Sequence, residues 1–188
     1  MDFPPLGLLF MKTPLPRILS AVFACSFLLA TSGWTAEKNP PGDIPDDQVF
    51  VLYVSSVGGY SLKVPEGWAR SEKGSDVDFV DKFDGVAVSV ASAAAAPTVK
   101  DVVTGLEKPG TAVRVVSSKE IRLPAGQALL VKYESDSEAN PVTNKHLRLE
   151  NEAYVFYKNG KTATLTLWAP KGADNADQWK LMSESFHW

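Results

Sequence analysis

Nucleophilic catalysis needs a base within hydrogen-bond reach of a serine or cysteine, and this chain offers few bases. Its histidines are His146 and His187, and its single cysteine is Cys25. His146, beside Lys145 and close to Arg148, reads as a solvated loop residue. His187 is next to last and reads as an exposed residue at a helix end, near the negative pole of the dipole. Neither lies in a recognisable catalytic motif, so no enzyme is expected. A metal role for His146 would require carboxylates brought from elsewhere in the chain.

Carboxylates are the other candidates for chemistry. Asp76, Asp78, Asp81 and Asp84 cluster in sequence, and Asp43, Asp46 and Asp47 form a second group. Each offers the hard oxygen ligands that calcium takes, but neither group follows the EF-hand spacing. Strand parity puts Asp76 and Asp78 on one face and Asp81 on the other, which leaves only Asp76 and Asp78 as a candidate calcium pair. The simpler expectation is an acidic strand edge that resists pairing with other sheets. Gly58-Gly59 lacks the helix and lysine that a phosphate loop requires, and no cofactor is expected.

Aromatic residues remain. Trp68, Tyr154, Phe156, Trp168 and Trp188 exceed what one helix-covered sheet face needs. Two readings follow: an ordinary core, or a partner patch or ligand groove on the far face. The expected partner or ligand face comprises Thr164, Thr166 and Trp168 with Tyr154 and Phe156.

These residues must be positioned by strands. In Lys161 to Ala169, Ala163, Leu165 and Leu167 alternate with Thr162, Thr164, Thr166 and Trp168, the pattern of a sheet with one covered face and one face on a groove or solvent. Asn159-Gly160 supplies the two positive-φ positions of a type I′ turn before it, preceded by strands over 147–150 and 153–158. Upstream, strands are predicted over 49–54 and 60–64 around a glycine turn, and over 77–83 and 86–91 around an Asp84-Gly85 turn. A strand within 112–123 and another over 127–134 flank Pro124-Ala125-Gly126. Thr98 is the expected N-cap of a helix over 99–106, with Asp101 at its third position. Asp174 or Asn175 caps a last helix whose Trp179, Met182, Ser183 and Phe186 fall at i, i+3, i+4 and i+7, which predicts that Trp179 and Phe186 enter the core.

The N-terminal end carries an address. Lys12 and Arg17 precede the apolar run Ile18 to Ala30 and the small, polar Thr31-Ser32-Gly33, the three regions of a secretory signal. A cleaved signal over 1–36 is expected, with Met11 a possible true start and residues 1–10 an upstream extension, or with residues 1–10 part of an ordinary long n-region. The apolar run is shorter than the roughly 18 to 20 residues of a spanning helix, and a lipid anchor at Cys25 would place apolar residues where a polar tether belongs. Asp2, Lys12 and Arg17 leave with the signal, so 17 of the 19 basic and 21 of the 22 acidic residues remain. Scattered basic residues in an acidic domain exclude a phosphate-tracking surface, so nucleic acid is not an expected partner. Residues 37–48, rich in proline and charge, read as a disordered tether, and 49–188 as one domain.

Tyr60-Ser61-Leu62-Lys63-Val64-Pro65-Glu66-Gly67-Trp68, the Tyr154-Val155-Phe156-Tyr157 strand with its following Gly160, and the Ser183-Glu184-Ser185-Phe186 ending resemble the PsbP-like family over Val49 to Trp188. That family includes extrinsic lumenal subunits of photosystem II, exported bacterial proteins of the DcrB kind and, by fold alone, a nuclear Ran-binding import factor. The resemblance implies an α+β fold, an antiparallel sheet covered by an internal and a C-terminal helix in an α/β sandwich. It also implies a non-catalytic role in docking, assembly or ion retention. The combined expectation is an exported binding or assembly factor, periplasmic or extracellular, or lumenal in a cyanobacterium. It would associate peripherally with an envelope or membrane protein complex. The alternative is an exported module that binds a small ligand or ion.

Overall fold

A computed structural model describes residues 41–188. The expected signal with Cys25, and the first part of the tether, lie outside the described residues. β1 (Phe50–Ser55) and β2 (Tyr60–Pro65) form an antiparallel ribbon. The remaining strands are β3 (Ala69–Lys73), β4 (Asp76–Asp81), β5 (Asp84–Ser92), β6 (Arg114–Leu123), β7 (Gly126–Asp136), β8 (Arg148–Lys158) and β9 (Lys161–Pro170). They make one antiparallel sheet in the order β3-β4-β5-β9-β8-β7-β6. Two helices are added, α1 (Val99–Leu106) and α2 (Ala176–Glu184). The α+β class and the covered antiparallel sheet are as the sequence pattern implies.

One face of the large sheet holds the core. Ala163, Leu165 and Leu167 of β9 are buried there with Val86 and Val88 of β5 and Val77 and Phe79 of β4. The β1–β2 ribbon covers this face with Tyr60, Leu62 and Val64, and α2 and the chain end cover it with Met182 and Phe186. The opposite face carries α1, which packs beside β6 and β7. Thr98 caps α1 as expected: its hydroxyl accepts from the Asp101 N–H at 3.2 Å, and the Asp101 carboxylate accepts from the Thr98 N–H at 2.9 Å. The β8–β9 turn is also as expected, with Asn159 at φ 50° and Gly160 at φ 73°.

Five expectations need correction. Asp84-Gly85 is not a turn: Asp81 pairs with Asp84, the turn is Lys82-Phe83, and Lys82 takes the positive φ of 49°. Ala69–Lys73 is a strand although nothing in A-R-S-E-K alternates, because an exposed edge needs no apolar face. Asp76 and Asp78 are therefore on the second strand rather than at the sheet edge. β8 is one strand of 11 residues instead of two. The tether is docked from Gly42 onward, with Ile44 buried in the core.

Candidate functional site

The expected partner face does not assemble as one surface. Across β8 and β9 the register is Tyr154↔Leu165 and Val155↔Thr164, so Tyr154 and Phe156 point into the core while Thr164, Thr166 and Trp168 point to the opposite face. Phe156 stacks on Phe186 with centroids 4.8 Å apart, and burial pushes the Tyr154 hydroxyl well above the usual tyrosine range. Thr162, Thr164 and Thr166 line a groove of about 310 Å³ against α1, with Asp101, Gly105 and Tyr133. Trp168 lies outside this groove, its indole over Gly85 of β5.

The carboxylates do not form a metal cage either. Among the described residues no group of three or more histidine, cysteine, aspartate or glutamate side chains could hold a metal ion. Asp76 instead accepts the Val90 N–H at 2.9 Å. His146 and His187 are exposed, and each ring contacts a backbone carbonyl, that of Ser137 at 2.6 Å and of Ser185 at 2.8 Å. His187 does not end the helix as expected: its backbone bridges Ser61 in both directions and lays the chain end along β2.

Among the described residues that bridge leaves β1 as the free side of the ribbon. Tyr53 and Ser55 pair with buried Leu62 and Tyr60, so by parity Phe50, Leu52 and Val54 turn their backbone polar groups away from β2. Leu52 and Val54 are each 64% exposed, and Val49, Val51 and Val57 are exposed around them. Tyr53 fixes the strand from below, edge-on to Phe79 at 5.1 Å and donating its hydroxyl to Glu72 at 2.9 Å. The other two strand edges are protected in the usual ways. β3 carries Arg70, Glu72 and Lys73; β6 carries Lys119, Glu120 and Arg122 and a bulge at Val116. F-V-L-Y-V-S has no charge, no proline and no bulge. The sequence placed this strand, but what made it distinctive, an unpaired edge, depends on pairing that no local pattern reports.

Solved structures with a similar architecture include cyanobacterial PsbP from Synechocystis, at 15% identity and TM-score 0.51, covering 78% of this chain and 97% of that one. This is the PsbP-like fold. Two further resemblances are to the yeast Ran-binding protein Mog1p, at 12% identity and TM-score 0.48 over 74% and 95% of the two chains, and to LpqN of Mycobacterium tuberculosis, involved in cell envelope biogenesis, at 12% and 0.44 over 79% and 88%. No family model matches this sequence, and no curated protein does.

In this PsbP-like domain the core face of the sheet turns polar towards the ends of β7 and β8. Glu134 accepts from Lys171 at 2.7 Å, Arg114 at 3.2 Å and Arg148 at 3.3 Å. Those hydrogen bonds, the Lys171 bond first, hold its carboxyl down at about 2. Because the folded value lies below the unfolded one, the stabilisation is present above about pH 4.5 and is lost as pH falls through about 2. Glu134→Gln should therefore flatten the loss of stability over that window, measured by urea unfolding at successive pH values. Glu152 joins Lys132 and the Tyr154 hydroxyl beside it.

Trp179 sits over this polar end, half-buried rather than inside the core as its spacing predicted. The helix turns it to the margin while Met182 and Phe186 take the interior. Trp179→Ala should cost about 1 to 2 kcal/mol, below the full price of a buried aromatic, by the shift of the denaturant midpoint.

Proposed function

We propose that this chain is an exported, non-enzymatic docking factor that binds a protein complex at an envelope or membrane. The free, uncharged β1 edge carries this reading. A strand of six residues whose outer backbone groups have no partner among the described residues, with exposed valine and leucine, is a template for strand addition by a partner. Natural folds blunt such edges unless they are covered, and here the other two are blunted. Association is peripheral in this reading. Among the described residues no helix is long and apolar enough to cross a membrane.

Photo-crosslinking groups at Leu52 and Val54 in cells, with Glu120 on β6 as control, test the reading. A discrete adduct is expected from β1 and not from Glu120. Leu52→Lys should leave folding intact, since the side chain is exposed, and weaken partner capture by about tenfold or more. Equal adducts from all three positions, or undiminished capture by L52K, would count against the edge.

A second reading rests on the threonine groove under α1, which is of a size to hold a small polar ligand. Hydroxyls from Thr162, Thr164 and Thr166 would supply its hydrogen bonds. A ligand selective for the native state must raise the melting temperature by mass action, and Thr164→Val should abolish that shift.

A further inference from the structure

We infer that Asp84 is the buried acid of a proton-operated latch that holds the strap Gly42–Asp47 on the domain. The strap is built into α2. Ile44, 4% exposed, donates its N–H to the Asn175 side chain at 2.7 Å; Asn175 donates back to the Gly42 carbonyl at 2.7 Å, and Gln178 donates to the Ile44 carbonyl at 3.3 Å. The Asp43 carboxylate accepts the Asp174 N–H at 2.9 Å. This explains why Asn175, in the N-cap position, does not cap: its side chain is spent on the strap.

Beneath the strap lies Asp84, 6% exposed, whose Oδ1 is buried with no hydrogen-bond partner, the one such side-chain atom among the described residues. Gly42 passes so close that a Cβ there would come within 2.7 Å of that oxygen and 2.3 Å of Pro170 Cδ. The charged groups facing Asp84 are Asp43 from the strap and Asp81 and Lys82 from the β4–β5 turn. β9 contributes Pro170, and the next residue, Lys171, is engaged by Glu134.

A neutral carboxyl fits this site better than a carboxylate, whose Oδ1 would be buried without a donor and whose charge would face those of Asp81 and Asp43. Burial, then Asp81 and Asp43, push Asp84 up to about 7. The folded value lies above the unfolded one, so the closed strap is most stable below about pH 4 and loses that stability progressively as pH rises to about 7, after which the loss levels off. The latch thus loosens towards neutral and alkaline pH. It controls the segment that leads into β1, and it stands or falls independently of what β1 binds.

Hydrogen exchange of the amides of 42–48 between pH 5 and 8, corrected for intrinsic rates, tests it. Protection should fall by up to about tenfold per pH unit until about pH 7 and then level off. Asp84→Asn, a mimic of the neutral acid, should make it flat. Asp43→Asn should move the levelling point to lower pH. A flat profile in the unaltered protein, or the same slope in D84N, would overturn the latch. So would an Asp84 carboxyl carbon that titrates near pH 4 by NMR, a measurement needing no variant.

Discussion

Phe186→Ala is expected to destabilise the domain by about 3 to 5 kcal/mol, the usual cost of truncating a fully buried aromatic. Phe186 has no exposed surface and is the largest such side chain among the described residues. Its ring stacks on Phe156 of β8 at 4.8 Å and lies 5.9 Å from Tyr60 of β2, so one side chain near the chain end joins the large sheet to the ribbon. Removing it leaves a cavity between elements that have no backbone hydrogen bonds to close it. The denaturant midpoint should fall with the slope unchanged. A loss below about 1.5 kcal/mol would mean that the backbone bridge between His187 and Ser61 anchors the chain end without the ring.

The contrast between Phe186 and Trp179 shows where helical periodicity stops being informative. Spacing puts both on one helical stripe and treats them alike, but α2 ends at Glu184 and Phe186 lies just past its C-cap, Ser185. Depth depends on where the ribbon and sheet lie, and β2 sits against the C-terminal end of the helix, where Lys63 donates its N–H to the Ser185 hydroxyl at 2.8 Å. Trp179, a turn or two earlier, meets the charged ends of β7 and β8 instead. A stripe gives direction, and tertiary partners give depth.

Strand alternation was similarly sound within its reach. The parity of β9 correctly separated Leu165 and Leu167 from Thr164 and Thr166. The sequence leaves Tyr154 and Phe156 grouped with the threonines because a register between two strands is not written in either strand alone. The docked strap and the edge strand are hidden from local pattern for a related reason. Ile44 looked isolated among prolines and aspartates, yet one apolar residue suffices when Asn175 and Gln178, more than 130 positions away, satisfy its backbone. Likewise β3 needed no signal of its own, since β4 supplies its pairing.

Gly85→Ala should cost about 3 kcal/mol, at the upper end for overpacking, although alanine elsewhere in a strand interior would stabilise. A Cβ on Gly85 would lie 1.8 Å from Cζ2 of Trp168 and 2.2 Å from Cε2, far inside contact distance. The two residues are direct cross-strand partners in the middle of the sheet, so neither backbone can withdraw without breaking the β5–β9 ladder. The indole must leave its place, losing its packing against β5. This steric demand is why a glycine stands inside β5 at a place where Asp84-Gly85 reads locally as a turn. The cost should nearly vanish in a Trp168→Ala background, where the ring that an alanine at position 85 would strike is gone and its lower unfolded-state entropy remains as a gain of up to about 1 kcal/mol. Strict additivity of the two substitutions in a double-mutant cycle would show that Gly85 is required by its backbone conformation rather than by the ring above it.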